Sequence, residues 1–349
     1  MRRFAALIAA VLCLGAAPAP VALSTLLADV PAPTLDAYHL FQDSGGRTPS
    51  ASLTPYSLNT PLFSDYSEKS RWLYLPPGTH ATYRAPGVLD FPVGATLVKT
   101  FAYPADLRHP QVSVRSIETR LLIHKSQGWV ALTYVWNSAQ TQAVLKRAGV
   151  RLPVAFVDLH GVKQVLDYGV PNQNQCKECH SVSGELSPIG PKGRNLNGAF
   201  AYVTGQENQL AHWSRTGLLI GAPTAEAAPR TAVWNDPQAP LEDRARAYLD
   251  GNCGHCHSPT GMASNSGLFL NLEEPDPAAR GIGRRPVAAG RGSGDLDFDI
   301  DPGKPQSSIL LYRMKSREPG VMMPELSRSM VHEEGVSLIE AYLKSLPAR

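Results

Sequence analysis

The sequence carries little net charge and has no long hydrophobic run. Its 349 residues include 33 basic and 30 acidic side chains, which leaves a formal net charge of +3. Such an even balance gives no argument for a nucleic-acid partner. No stretch reaches the roughly 18 apolar residues that a transmembrane helix requires, so we expect no membrane span after processing of the N-terminus. Hydrophobic residues make up 43% of the chain, which excludes general disorder.

The first 22 residues have the three-part layout of a secretory signal peptide. Two arginines precede an apolar run from Phe4 to about Ala17, and small residues and prolines follow. No further charged side chain occurs before Asp29. We therefore predict that residues 1–22 are removed on export and that the mature protein is periplasmic.

Cysteine is scarce, and the few cysteines are arranged in a pattern. Cys13 lies in the predicted signal peptide, and the other four form two C-x-x-C pairs, each followed directly by a histidine. The residues are Cys176, Cys179 and His180 in the first motif, and Cys253, Cys256 and His257 in the second. C-x-x-C-H is the attachment sequence for c-type haem. The two thiols form thioethers with the vinyl groups of one porphyrin, and the adjoining imidazole binds its iron. We predict two covalently attached haems.

Disulfides, a zinc site and a thioredoxin-like redox pair are the alternatives for such cysteines. A disulfide within each C-x-x-C pair would close only a very short loop, so it would constrain the fold very little. Paired zinc ligands are typically about 12 to 20 residues apart, whereas Cys253 follows Cys176 by 77 residues. None of these alternatives requires a histidine after both pairs.

The chain around the second motif resembles class I cytochromes c. Apolar residues recur at helical spacing from Leu241 to Asn252 and again from Gly335 to Leu346. Helices at these positions resemble the crossed terminal helices of that class. The resemblance implies a distal methionine on the loop before the last helix, for which Met323, followed by Pro324, is the main candidate. The alternatives are Met322, Met314 and Met330.

The distal ligand of the first haem is open. No methionine occurs between His180 and Met262, and the only other histidine in this section is His212, in a predicted helix over Glu207–Arg215. His212 is our candidate, and Met262, a ligand from elsewhere or no sixth ligand are alternatives. The loop after the motif resembles the Gly-Pro-x-Leu-x-Gly loop of class I cytochromes, in which the proline carbonyl, here Pro191, would orient the proximal histidine.

Residues 30–170 contain no cysteine and alternate short strand patterns with glycine and proline turns. The predicted strands are Ala95–Tyr103, Glu118–Lys125, Trp129–Trp136, Pro153–Leu159 and Lys163–Tyr168. This pattern predicts an antiparallel sandwich or barrel, without a catalytic motif that would assign it a role.

Together these features predict a multidomain fold, with an N-terminal all-β domain followed by two mainly α, cytochrome c-like haem domains. After the signal peptide, we place the β-rich domain at 30–170, the first haem domain at 171–238 and the second, class I-like domain at 239–349.

Two charged clusters near the C-terminus have possible ligand roles. Asp295, Asp297, Asp299 and Asp301 alternate with apolar residues, which predicts a strand with one solvated face and leaves a calcium site as an alternative. The candidate partners for haem propionates are Arg284, Arg285 and Arg291.

Nearly the whole mature chain resembles a bacterial family of exported di-haem c-type cytochromes with an N-terminal β domain. The matching stretches are Asn59–Asp65, Phe91–Phe101, Val170–Asn197, Arg244–His257 and Pro319–Leu326. The resemblance implies two haems in this architecture, without an established activity. We expect a non-enzymatic carrier that passes single electrons from a donor to an acceptor redox protein. The alternatives are a peroxidase-like enzyme with an open middle haem and a cytochrome subunit that docks to a dehydrogenase.

Overall fold

The computed structural model describes residues 19–326 and 328–348. Most of the predicted signal peptide, including Cys13, therefore lies outside the described residues. Val21, which lies inside the predicted signal peptide, and Leu26, which lies beyond it, are both buried in the largest hydrophobic core.

Fourteen β-strands and seven α-helices occur in these residues. The strands are β1 Leu53–Pro55, β2 Glu68–Tyr74, β3 Ala81–Thr82, β4 Thr96–Pro104, β5 Val114–Lys125, β6 Gly128–Trp136, β7 Ala143–Leu145, β8 Val150–Val157, β9 Lys163–Val170, β10 Ser181–Val182, β11 Glu185–Leu186, β12 Ala199–Tyr202, β13 Gly205–Asn208 and β14 Leu219–Ile220. The helices are α1 Leu23–Leu27, α2 Gln173–His180, α3 Gly193–Leu196, α4 Gln209–Arg215, α5 Leu241–Leu249, α6 Ile309–Lys315 and α7 Glu333–Ser345.

A six-stranded antiparallel sheet, in the order β1-β2-β4-β5-β6-β7, forms the centre of the molecule. Successive side chains of a strand point to opposite faces. Leu121 and Ile123 of β5 therefore pack into the core that includes Leu26 and Tyr38. On the same strand, Arg120 and Leu122 face the segment that carries the first C-x-x-C-H motif. The β8–β9 hairpin packs beside the sheet on a smaller core.

The predicted fold class is wrong. The described residues are 26% strand and only 22% helix, and their helices are 4 to 13 residues long, so this part of the chain lacks the helical content of two cytochrome c domains. Residues 171–238 contain two hairpins, β10–β11 and β12–β13, besides three short helices. Leu196 and Trp213 of this segment share a core with Leu73 and Leu97 of the sheet. The apolar residues that we assigned to a helical domain are therefore buried against β-structure.

The C-terminal part has a hydrophobic core of its own, formed largely by α5, α6 and α7. Helices α5 and α7 cross closely at Gly335, where a Cβ would overlap the ring of Tyr248. After Leu249 the helix widens into a π-turn over Asp250–Gly254, which carries Cys253. Turns of this kind are frequent at functional sites.

Within 19–326 and 328–348, no helix is both long enough and apolar enough to cross a membrane.

Candidate functional site

The two C-x-x-C-H motifs lie side by side. The Sγ atoms of Cys179 and Cys256 and a ring nitrogen of His255 all lie within 4.8 Å of one another. The Cys256 thiol also donates to the carbonyl of Glu178, with 3.7 Å between sulfur and oxygen. Motifs that are far apart in the sequence therefore form one centre. Sequence reasoning missed His255, because it occupies a position of the motif that any residue can fill.

The first motif forms helix α2 against the sheet. Asn172 begins this helix with a capping box, in which its side chain accepts from the Gln175 backbone and the Gln175 side chain accepts from the Asn172 backbone. The helix packs on β6. Between α2 and the sheet lies a cavity, which we call the first cavity. Its lining includes Cys176, Cys179, His180, Leu97, Leu122 and Ala131.

His180 is neutral, and its Nδ1 is held against a backbone carbonyl. Its Nδ1 lies 2.9 Å from the carbonyl oxygen of Ser187. Since a carbonyl can only accept, Nδ1 carries the proton and Nε2 keeps a free lone pair. Burial lowers the pKa of His180 to about 4, so the imidazole is neutral at pH 7. Pro191, which we expected in the role of Ser187, instead accepts from the backbone of Leu89 at 3.1 Å.

The second motif opens onto its own cavity, the second cavity. His257 lies there with Nδ1 3.3 Å from the Ser266 hydroxyl, and burial lowers its pKa to about 4. Met323 lines the same cavity. Arg328 holds the Met323 loop in place by donating to the Met323 carbonyl at 3.0 Å. His257, the predicted proximal ligand, and Met323, the predicted distal ligand, therefore line the same cavity.

The other methionine candidates lie in different surroundings. Met314 and Met262 also line the second cavity, but Met314 is part of the helical core and Met262 is 57% exposed. Met322 lines a separate groove beside the β8–β9 hairpin. Met330 packs against the core of that hairpin. Of these candidates, Met323 is the one that lines the second cavity from the loop before α7.

His212 is remote from the first motif. In α4 its Nδ1 lies 2.7 Å from Glu207, and its ring stacks on Tyr202 with 3.6 Å between centroids. It does not line the cavity beside His180. Among the described residues that do line it, there is no methionine, and His255 is the only other histidine.

One loop, Asn59–Asp65, ties both motif segments to the sheet. The Asn59 side chain donates to the Asn197 carbonyl at 3.1 Å, beyond the first motif. The backbone of Phe63 donates to the Asn252 side chain at 2.8 Å, next to Cys253. Asp65 accepts from the backbone of Met330 at 2.7 Å.

A buried ion pair joins the two motif segments directly. Arg194 donates to both carboxylate oxygens of Asp250, at 3.0 and 3.1 Å, and it also pairs with Glu273 at 2.8 Å. Burial alone would raise the pKa of Asp250, but the charges of Lys192 and Arg194 outweigh burial and hold it below its ordinary value. Asp250 therefore stays ionised at the start of the turn that carries Cys253.

The charged clusters near the C-terminus pair with each other. Arg284 contacts Asp299 at 2.8 Å, Arg285 contacts Asp297 at 3.0 Å, and Arg291 contacts Glu318 at 3.1 Å. The arginines that we considered for propionates thus already have carboxylate partners. In the described part of the chain the aspartates do not converge into a group of three metal ligands, so the calcium alternative gains no support.

The donor set fits two c-type haems better than a structural zinc ion. Cys179, His255 and Cys256 could contact one soft metal, but a structural zinc site takes four ligands, and three ligands with a water are the catalytic arrangement. All four motif cysteines are free thiols. Each motif histidine has its Nδ1 beside an oxygen and adjoins a cavity. A histidine held at Nδ1 beside a cavity is compatible with a haem-iron ligand.

Comparisons with family models, with curated proteins and with solved structures give no match to this chain. The family resemblance therefore rests on the motifs alone, and a function must be argued from the site.

We predict that Asp250→Asn destabilises the protein by up to about 3 kcal/mol, because it leaves Arg194 buried without its main counter-charge. The control is Asp167→Asn, which breaks the exposed pair with Arg151 and should cost less than about 1 kcal/mol. Urea unfolding of the purified proteins measures both. Since the folded-state pKa of Asp250 is lowered, its contribution should be present at neutral pH and lost as the pH falls through that pKa. Equal losses of unfolding free energy in Asp250→Asn and Asp167→Asn would contradict the assignment of Asp250 as the buried counter-charge of Arg194.

Proposed function

We propose that the protein is an exported di-haem c-type cytochrome that passes single electrons between redox proteins. Cys176 and Cys179 would hold one haem and Cys253 and Cys256 the other. His180 and His257 would be their proximal ligands. One observation carries the proposal: the two attachment motifs meet at Cys179 and Cys256, and each borders a cavity of its own.

Bound haem would supply one-electron exchange at iron. The chain's own residues would position each haem and shield it from solvent. The Ser187 carbonyl and the Ser266 hydroxyl fix the rings of His180 and His257, and apolar side chains line both cavities. Because the attachment points are in contact, electrons could pass between the two sites without leaving the molecule.

Export agrees with this chemistry, because haem is attached to C-x-x-C-H motifs outside the cytoplasm. The predicted signal peptide would deliver the chain to the periplasm, where its donor and acceptor proteins would also lie.

A peroxidase-like enzyme is the second candidate, and one observation favours it. The first cavity offers no methionine and no histidine other than His180 and His255 among its described lining residues. Unless His255 binds it, an iron held there by His180 would keep an open position for a small ligand. An electron carrier does not need an open coordination position on its iron, whereas an enzyme that acts on a small ligand does.

The electron-carrier proposal predicts two separate waves in a redox titration of the purified protein. Met323→His should lower the higher wave by about 0.1 V or more, because a thioether ligand raises the iron potential and axial ligands span roughly 0.8 V. The control is Met322→His, whose side chain lies in a different groove and should leave both waves in place. A shift with Met322→His and none with Met323→His would refute the ligand assignment.

Cyanide binding separates the carrier from the enzyme. For a carrier with two six-coordinate irons, we expect a low-spin ferric spectrum that cyanide leaves unchanged within minutes. An enzyme with an open first iron would show a high-spin component and rapid binding of one cyanide per molecule. Visible and EPR spectra of the resting and half-reduced protein report the spin state and the cyanide binding. A high-spin component with rapid cyanide binding would assign the protein as an enzyme.

A further inference from the structure

Three cationic side chains form a row across the central sheet. Arg71 of β2 lies directly opposite Lys99 of β4, and Lys99 lies directly opposite Arg120 of β5. Thr133 of β6 continues the row beyond Arg120. All four residues line the first cavity, together with the first haem-attachment motif. Like charges directly opposite each other destabilise a sheet, so such a row requires a compensating anion.

The protein compensates only one of the three charges. Arg120 makes a bidentate contact with the buried Glu118, at 3.0 and 2.5 Å. Arg71, only 9% exposed, donates to the backbone carbonyl of Lys69 at 3.1 Å. The Lys99 ammonium lies 4.5 Å from the ring centroid of Phe101. Within the described residues, neither Arg71 nor Lys99 has a carboxylate within 4.0 Å.

The rest of the cavity wall leaves this imbalance in place. Lys192, on the opposite wall, is held by Asp250 at 3.3 Å, and Asp250 also neutralises Arg194. Burial and then the nearby charge of Arg71 lower the pKa of Lys99 well below its ordinary value. The buried side chains of Arg71 and Lys99 therefore face the cavity without an anionic partner in the described chain.

The row runs in the direction that a porphyrin would take from its thioether edge to its propionate edge. Its Thr133 end lies on β6, the strand on which the motif helix packs, and Thr133 and Cys176 border the same cavity. Neighbouring strands are about 4.8 Å apart, so Arg71 lies roughly 14 Å from Thr133, three strands across. A c-type haem has its thioether links on one edge and its two propionates at the other.

We propose that Arg71 and Lys99 bind the two propionate carboxylates of the first haem. The inference rests on the proposed function, since it presumes a porphyrin attached at Cys176 and Cys179. Arg71 and Lys99 lack an anionic partner in the described chain, and a carboxylate beside Lys99 would favour its charged form. Arg120 remains with Glu118. In this role the row positions the ring against the sheet and raises its potential, because nearby positive charge favours the reduced iron.

The test uses the haem-loaded protein and four variants. Arg71→Gln and Lys99→Gln should each shift the wave of the first haem to a more negative potential, and this is the wave that Met323→His leaves unmoved. Lys99→Arg keeps the charge and should keep the potential. Arg115→Gln removes an exposed positive charge from the same strand as Arg120 and should change neither wave. Mass spectrometry counts the covalent haems in each variant.

The outcomes distinguish this inference from the proposed function. Unchanged potentials in Arg71→Gln and Lys99→Gln, with two haems attached, overturn the propionate site and leave the cytochrome intact. A shift of the wild-type potential on adding acetate also overturns it, because the row would then be open to diffusible carboxylates. Loss of the first haem in Lys99→Gln but not in Lys99→Arg supports it. Wild-type protein without covalent haem overturns both proposals.

Discussion

The contact between Cys179 and Cys256 is the constraint on which the rest of the molecule depends. Two local motifs at distant positions come together only if the intervening chain is fixed at both ends. The sheet fixes one end, because Leu196 and Trp213 are buried against it. The buried pair of Arg194 and Asp250 fixes the other. Hydrophobic burial and a buried ion pair thus act together to hold the two motifs in one centre.

The two cavities beside this centre differ in chemistry. The second is lined by the thioether side chain of Met323 together with His257. The first contains no methionine among its described residues but presents Arg71 and Lys99 without carboxylate partners. Haems in such different surroundings would have different potentials, and this difference would give electron flow a direction. The N-terminal sheet would then form a wall of the redox site.

Much of the local structure could be predicted from the sequence. The strands β4, β5, β6, β8 and β9 lie within a few residues of their predicted positions, because apolar alternation and glycine turns are local signals. The helices that precede the second motif and end the chain are also present. The fold class was wrong because burial of Leu196 and Trp213 on the sheet is a tertiary effect. For the same reason the sequence could not reveal the contact of His255 with Cys179, the role of Ser187, or the row of Arg71, Lys99 and Arg120.

The central claim is that both motifs hold haem covalently, and the most direct test is the mass of the exported protein under denaturing conditions. Protein purified from a host that can attach c-type haem should weigh the processed polypeptide plus two haems and keep its colour after unfolding. Colourless protein with the mass of the bare polypeptide, or with a metal ion in place of haem, would contradict the account.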